Sequence, residues 1–231
     1  MTDQEAAADH LKVIRSLMER ATVYRAISAP AALFGGIIAL ATGIMMALRA
    51  PEAAATATAF PAASPDPPGG IGPVEFFLIW VGVLVLVAAF NTLLLWRGSR
   101  GRQEDFYSSG MRLALRATLP PMLAGGLVSF ILLEAGGSRA VCALLWVIFY
   151  SLALLAARSF APRSMRWLGW MFFCAGLGLA VVLRLGGSRL PEIFSTDQAQ
   201  AGLIMALTFG ALHIVYALII LYRTPKGEEE I

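Results

Sequence analysis

The chain has 231 residues, of which 58% are hydrophobic and only 14% are charged. This composition is too apolar for an ordinary soluble domain and predicts an integral membrane protein. The net charge of +3 does not indicate nucleic-acid binding, because the basic bias at one face of a membrane protein accounts for it.

Residues 1–28 precede the apolar part of the chain. Apolar side chains recur there at spacings of three and four residues, and polar side chains cover the other face. This pattern predicts an amphipathic helix over residues 5–27, which either lies on the inner leaflet or docks a protein partner. The acidic residues and the long polar lead are unlike a cleaved signal peptide.

Six blocks that are almost free of charge follow. They cover residues 31–48, 74–96, 117–133, 140–157, 167–183 and 201–222. A helix needs about 17–25 residues to cross the hydrocarbon core, whereas barrel strands are about 9–11 residues long and alternate in polarity. The blocks therefore predict an all-α, polytopic bundle of six transmembrane helices over residues 29–223, followed by a short tail at 224–231.

The segment between the first two blocks differs from the other loops in composition. Residues 50–73 are rich in Ala, Pro, Thr and Gly, which is typical of a disordered or polyproline-like loop. The alternative is an ordered lid that uses Phe60 as its anchor.

Basic residues are unevenly distributed between the ends of the six blocks. If the N-terminus is cytoplasmic, 14 of the 18 Lys and Arg residues fall on that side, and only Arg49, Arg139, Arg184 and Arg189 fall on the other. The positive-inside rule then predicts that both termini are cytoplasmic. We expect the membrane to be a bacterial inner (plasma) membrane.

An internal repeat relates residues 116–139 to residues 166–189. Eight of the 24 aligned positions are identical, and both copies end in Gly-Gly-Ser-Arg. The repeat predicts that the bundle consists of three helical hairpins in the same orientation. The copies differ at Glu134 and Arg184, which would form an ion pair at the outer interface if their hairpins are neighbours; the alternative is that each extends separately into water.

Few polar residues lie within the predicted spans. No Asp is inside a span and no Lys or Arg is at the centre of one, so His213, Asn91 and Tyr216 form the possible intramembrane polar site. His213 could be a proton relay or a ligand of a metal or haem. The interpretation that we favour is a neutral packing residue, hydrogen-bonded to a tyrosine or to Asn91.

Motifs for catalysis and cofactor binding are absent from the sequence. The only other histidine, His10, precedes the spans, which excludes a bis-histidine haem within the bundle, and no cofactor or metal is expected. No zinc-protease motif, Gly-x-Ser-x-Gly motif within a span or intramembrane aspartate pair is present. Cys142 and Cys174 fall at different depths, so no disulfide is expected between them. The chain is therefore not expected to be an enzyme.

Two classes of function remain open, and an intramembrane enzyme that depends on His213 ranks third. The first is a non-catalytic scaffold, accessory, sensor or regulatory component; the alternative is a small uncoupled transporter or a permeation or lipid-handling unit. Ion-coupled transport usually needs a charge inside the bundle, which this sequence lacks. The expected partners are membrane lipids, a protein bound through residues 5–27 and, in a homo-oligomer, further copies of the chain.

Overall fold

The computed structural model describes residues 29–59, 70–102, 109–159, 163–186 and 196–223. Its helices are α1 (Ala29–Ala59), α2 (Pro73–Arg102), α3 (Ser109–Glu134), α4 (Arg139–Ala156) with a 3-10 turn at Ala157–Ser159, α5 (Arg163–Gly186), α6 (Asp197–Met205), a π-helix (Ala206–Leu212) and α7 (His213–Arg223). We call α6, the π-helix and α7 together the last span. No strand occurs in the described ranges. The predicted helix over residues 5–27 and the tail at 224–231 lie outside them.

All six predicted spans are helices. Each of the six contains a stretch long and apolar enough to cross a membrane. The prediction of an all-α, multi-pass membrane protein is therefore confirmed. The arrangement of these helices into three hairpins stays a prediction. Helix α3 packs against α4 as a hairpin would, but α4 packs as closely against α5, and α1 packs along the whole last span.

The first helix is longer than the sequence pattern indicated. Residues 50–59, which we predicted to be part of a loop, continue α1 as far as Ala59. Six of these ten residues are alanine, which has the highest helix propensity, and this outweighs the cost of Pro51 within the helix. The proposed anchor Phe60 lies outside the described residues.

The Gly-Gly-Ser-Arg sequence at 136–139 forms the turn between α3 and α4. Gly136 has a φ of 76°, a conformation that suits glycine. Its amide donates to the Leu133 carbonyl, and the Gly137 amide donates to the Leu132 carbonyl, which is the Schellman pattern that ends a helix. Ser138 then caps α4 by accepting a hydrogen bond from the Val141 amide at 3.2 Å. One short motif thus ends one span and begins the next.

Glycines bring α1 and the last span into backbone contact, and we call this interface the glycine seam. A Cβ atom on Gly202 would lie 2.6 Å from the carbonyl oxygen of Gly43, and one on Gly36 would lie 3.0 Å from the carbonyl oxygen of Gly210. Gly202, Ala206 and Gly210 stand four residues apart, a spacing that is typical of closely packed membrane helices. The seam holds the first and last spans together.

The second span packs much less tightly. Only 6% of the residues in the most apolar window of α2 are buried, compared with 39% in α1 and in α4. One end of α2 is anchored by Phe76, whose ring stacks on Trp146 with centroids 5.4 Å apart. Further along the helix, Phe34 of α1 meets Phe90 at 4.3 Å. Between these contacts Trp80 is buried against the core and Val87 lies against Gly35, but the rest of α2 packs loosely and borders a cavity.

Candidate functional site: a cavity within the bundle

A cavity of about 510 Å³ lies between α2 and the rest of the bundle, and residues from all six spans line it. This volume falls within the range of about 300–1,000 Å³ that is typical of ligand pockets. The α2 wall runs from Phe77 to Asn91, a separation of fourteen positions that corresponds to about 21 Å of helix. The cavity is thus long enough for an elongated ligand.

Small residues of the opposite walls keep the cavity open. Gly35 of α1 and Gly126 of α3 both line it. A Cβ atom on Gly35 would lie 2.8 Å from a methyl group of Val87, whereas one on Gly126 would have no atom within 4 Å. Position 126 can therefore take a larger side chain without a clash at its Cβ.

His213 and Tyr150 form a closed pair on the cavity wall. The His213 Nδ1 atom lies 3.0 Å from the Phe209 carbonyl oxygen, and a carbonyl can only accept, so Nδ1 carries a proton. The Tyr150 hydroxyl lies 2.9 Å from Nε2 and donates to it if the ring is neutral, which a membrane span favours. Both nitrogens are then occupied. The expected tyrosine partner is Tyr150, and no nitrogen is left for a metal.

The π-helix positions this pair. It ends at Leu212, immediately before His213, and includes Phe209. The rings of Phe172 and Phe209 surround His213, with centroids 5.1 Å and 6.1 Å away. Single-turn π-helical segments are often found at functional sites. The sequence pattern did not predict this one, because seven residues are too few to show a change of period within an apolar span.

The three residues of the predicted polar site all line the cavity, but they do not form one network. Tyr216 lies 3.4 Å from the Ser164 hydroxyl. The half-buried Asn91 side chain makes no hydrogen bond to any described residue. Sequence reasoning did not single out Trp80, which is 5% exposed, lines the cavity and has a buried indole nitrogen without a hydrogen-bond partner among the described residues.

Polar groups are concentrated at one end of the cavity. Asn91, Thr118 and Tyr216 lie towards the end of the bundle where α2 and α7 finish and α3 begins. The Thr118 hydroxyl donates back to the Ala114 carbonyl at 3.1 Å. Towards the other end the wall is formed by apolar and aromatic residues such as Phe77 and Met205. The cavity therefore changes from polar to apolar along its length.

Charged side chains do not contribute to the described cavity wall. None of the described lining residues is Asp, Glu, Lys or Arg. In the described ranges, no group of three His, Cys, Asp or Glu side chains is placed to hold a metal ion. The wall can form hydrogen bonds and apolar contacts, but it offers no charge to pair with a ligand.

A second polar cluster closes the end of the bundle where α4 and the last span begin, and we call it the Asp197–Gln198 latch. The Asp197 carboxylate accepts from the Arg139 amide at 2.7 Å, from the Ala140 amide at 3.1 Å and from the Ser138 hydroxyl. It also pairs with the Arg139 guanidinium at 3.7 Å. One carboxylate thus satisfies the N-terminal amides of α4, where negative charge is favourable.

Gln198 extends the latch to the first two spans. Its Nε2 atom donates to the Met46 carbonyl at 3.1 Å, and its Oε1 atom accepts from the Ile71 amide at 3.0 Å. Sequence reasoning missed the latch because it searched only within the spans. The available signal was the pair of N-cap residues, Ser138 and Thr196, which begin α4 and α6.

The structure does not bring Glu134 and Arg184 into an ion pair. Both side chains are exposed, and α4 packs against α3 on one side and α5 on the other. The ion pair found at this end of the bundle joins Arg139 to Asp197 instead. Cys142 is buried and Cys174 is exposed, and both are free thiols.

In the described ranges, polar groups from several spans converge in the cavity and in the latch. The cavity is the better candidate for a ligand site, because the latch is occupied by the protein's own side chains. No protein-family model, curated protein or solved structure matches this chain.

Proposed function

We propose that this protein is a non-catalytic component of a bacterial inner membrane that binds an apolar small molecule or lipid within its six-span bundle. The observation that carries the proposal is the cavity of about 510 Å³ lined by all six spans. Of the two functional classes left open by the sequence, this observation favours lipid handling, or a sensor or regulator that responds to such a ligand.

The packing of the bundle supports ligand entry beside α2. The glycine seam and the latch hold α1, α4 and the last span together, whereas α2 has few buried residues. Elements with few buried contacts open at low free energy. Movement of the part of α2 that follows Trp80 would admit a ligand from the lipid phase, while Phe76 and Trp80 keep the start of the helix packed against the bundle.

The hydrogen bonding of the cavity supports a non-catalytic role. His213 is the residue on which an intramembrane enzyme would depend, and both of its ring nitrogens already have partners within the protein. General acid or base catalysis needs a group that can reach the substrate proton. With no charged residue on the described wall, the cavity is better suited to binding than to chemistry.

The distribution of Lys and Arg supports cytoplasmic termini. It places 14 of the 18 basic residues on one side of the membrane. Docking of a protein partner through residues 5–27 and assembly into a homo-oligomer stay predictions. In either case the bundle cavity would be the ligand site of each copy.

The test is photolabelling of the purified protein in phosphatidylcholine nanodiscs with a diazirine-bearing hexadecanol. We expect saturable labelling of cavity-lining peptides of α2 and α3. The Gly126→Phe substitution, which fills the cavity, should weaken apparent binding about tenfold or more. The matched control is Gly82→Phe, because Gly82 is exposed on α2 and a Cβ there would have no neighbour within 4 Å.

Two results would contradict the proposal. One is labelling that rises linearly with probe concentration, as partitioning into bulk lipid would produce. The other is equal saturable labelling of wild type, Gly126→Phe and Gly82→Phe, which would place the bound probe outside the cavity.

A further inference from the structure

We infer that the cavity selects an uncharged, single-chain amphiphile, whose neutral hydrogen-bonding head group is bound by Asn91 and whose hydrocarbon tail extends towards Phe77. This inference rests on the proposed function and names the ligand class of the same site. It follows from the hydrogen-bonding groups that are free on the wall, from the charges near the wall and from the shape of the cavity.

At the polar end, Tyr216 lies 3.4 Å from the Ser164 hydroxyl, whereas Asn91 is available to a ligand. The Tyr150 hydroxyl and both nitrogens of His213 are used within the closed pair, and the Thr118 hydroxyl donates back to its own helix. Asn91 lines the cavity, and its amide has no partner among the described residues. An amide both donates and accepts, so it can bind a hydroxyl or a carbonyl head group.

Trp80 does not compete for this role. Its unpaired indole N–H lies eleven residues before Asn91 on the same helix, which is about 16 Å away along the helix axis. The nitrogen is itself buried and does not reach the cavity surface. The polar end of the site is therefore defined by Asn91.

The surroundings of Asn91 favour a neutral head group over an anionic one. Arg97 and Arg116 are the basic residues of α2 and α3 nearest to the polar end, and both are exposed. Arg97 is six positions from Asn91, and Arg116 is two positions from Thr118. At 3.6 residues per turn these spacings place the arginines on other faces of their helices. A buried anion without a paired charge is costly.

The shape of the cavity favours a single chain. Its α2 wall extends for about 21 Å from Asn91 to Phe77, and its volume of about 510 Å³ is in the range for one drug-sized ligand. The wall at the Phe77 end is formed by Trp80, Trp146 and Met205, which suit a hydrocarbon tail. The head group would then lie beside Asn91, at the end where α2 finishes.

The inference is tested with three photoreactive probes of equal chain length in phosphatidylcholine nanodiscs: hexadecanol, hexadecanoic acid at pH 8 and hexadecane. We expect hexadecanol to label the cavity with the highest apparent affinity. The Asn91→Leu substitution should weaken hexadecanol binding about three- to tenfold, the effect of one hydrogen bond, and leave hexadecane binding unchanged. The matched control is Thr92→Val, because Thr92 is the exposed neighbour of Asn91 on α2.

The outcomes separate this inference from the proposed function. If hexadecanoic acid binds as tightly as hexadecanol, or if Asn91→Leu leaves hexadecanol binding unchanged, the neutral head-group site is wrong although the cavity still binds a chain. If Asn91→Leu weakens hexadecane binding equally, its effect is on the cavity rather than on the head group, which also overturns the inference. If none of the three probes labels the cavity saturably, the proposed function itself fails.

Discussion

The glycine seam and the α2 wall are two helix interfaces of the same bundle with opposite packing. At the seam, Gly43 and Gly202 let the backbones of α1 and the last span touch. Along α2, the face between Phe77 and Asn91 lines the cavity instead of a neighbouring helix. Both interfaces are made of residues that are compatible with a lipid environment, so hydrophobicity alone does not explain why one is tight and the other is not.

The difference between these interfaces depends on side-chain size. Between membrane helices, small residues allow close van der Waals contact, while large branched residues hold helices apart. Of the six α2 positions 82–87, all but Gly82 are branched Val or Leu. We therefore expect the seam to be the rigid part of the molecule and the α2 wall its adjustable part. The following predictions test this contrast.

The largest expected effect is on the seam. Gly202→Leu places a side chain where a Cβ atom alone would lie 2.6 Å from the Gly43 carbonyl oxygen, so the helices must separate. We expect the free energy of unfolding to fall by about 3 kcal/mol or more. The measurement is reversible SDS unfolding in mixed micelles. Gly82→Leu on α2 is the matched control, and we expect it to stay within about 0.5 kcal/mol of wild type.

Equal losses for the two leucine variants would contradict the contrast, since they would show that α2 is packed as tightly as the seam. A wild-type stability for Gly202→Leu would show that the first and last spans do not approach at their glycines.

A smaller effect is expected at the latch, which joins the start of the last span to α4 and α1. Asp197→Ala removes the acceptor of the first amides of α4 and the partner of Arg139. Loss of a helix cap costs about 0.5–2 kcal/mol, and the ion pair, whose Asp197 side chain is 34% exposed, adds little. We expect a loss of about 1–2 kcal/mol in the same SDS assay.

The control for the latch is Glu75→Gln, which changes an exposed carboxylate in the first turn of α2. It should leave stability within about 0.5 kcal/mol of wild type. If both substitutions have the same effect, the loss at Asp197 reflects overall charge rather than the cap.

The smallest effect is expected for the Tyr150–His213 pair, which links α4 to the last span on the cavity wall. A double-mutant cycle with Tyr150→Phe and His213→Phe should give a coupling energy of about 0.6 kcal/mol and at most about 1.7 kcal/mol, as found for hydrogen bonds between membrane helices. The same variants should keep cavity labelling by hexadecane. A loss of labelling in His213→Phe but not in Tyr150→Phe would assign His213 a direct role in ligand binding.

The sequence predicted the spans well and their neighbours poorly. The number and length of the helices follow from the bilayer, because each segment must be long and apolar enough to cross it whatever its partners are. The pairing of Glu134 with Arg184 followed from the repeat, but equivalent positions in a repeat are not adjacent positions in space. Helix α4 lies between their spans, and each side chain remains exposed.

The hydrogen-bond partners of the polar residues could not be predicted, because they depend on which face each helix turns towards its neighbours. His213 was a recognisable candidate, yet Tyr150 lies 63 residues away on another span. The capping role of Asp197 was not predicted, because a side chain that caps the start of another span has no fixed sequence spacing from it. Residues 50–59 were mistaken for loop because residues 50–73 were interpreted as one segment rich in Ala, Pro, Thr and Gly.

The sequence by itself determined an all-α membrane protein with six spans, and it contained the small residues of the seam and the turn that joins α3 to α4. These features depend on local spacing or on the solvent around the chain. Only the tertiary structure decided which interface is tight and which borders a cavity. A cavity is a property of several helices at once: Gly126 and Asn91 line it because α2 packs loosely against the bundle, and no local pattern encodes that packing.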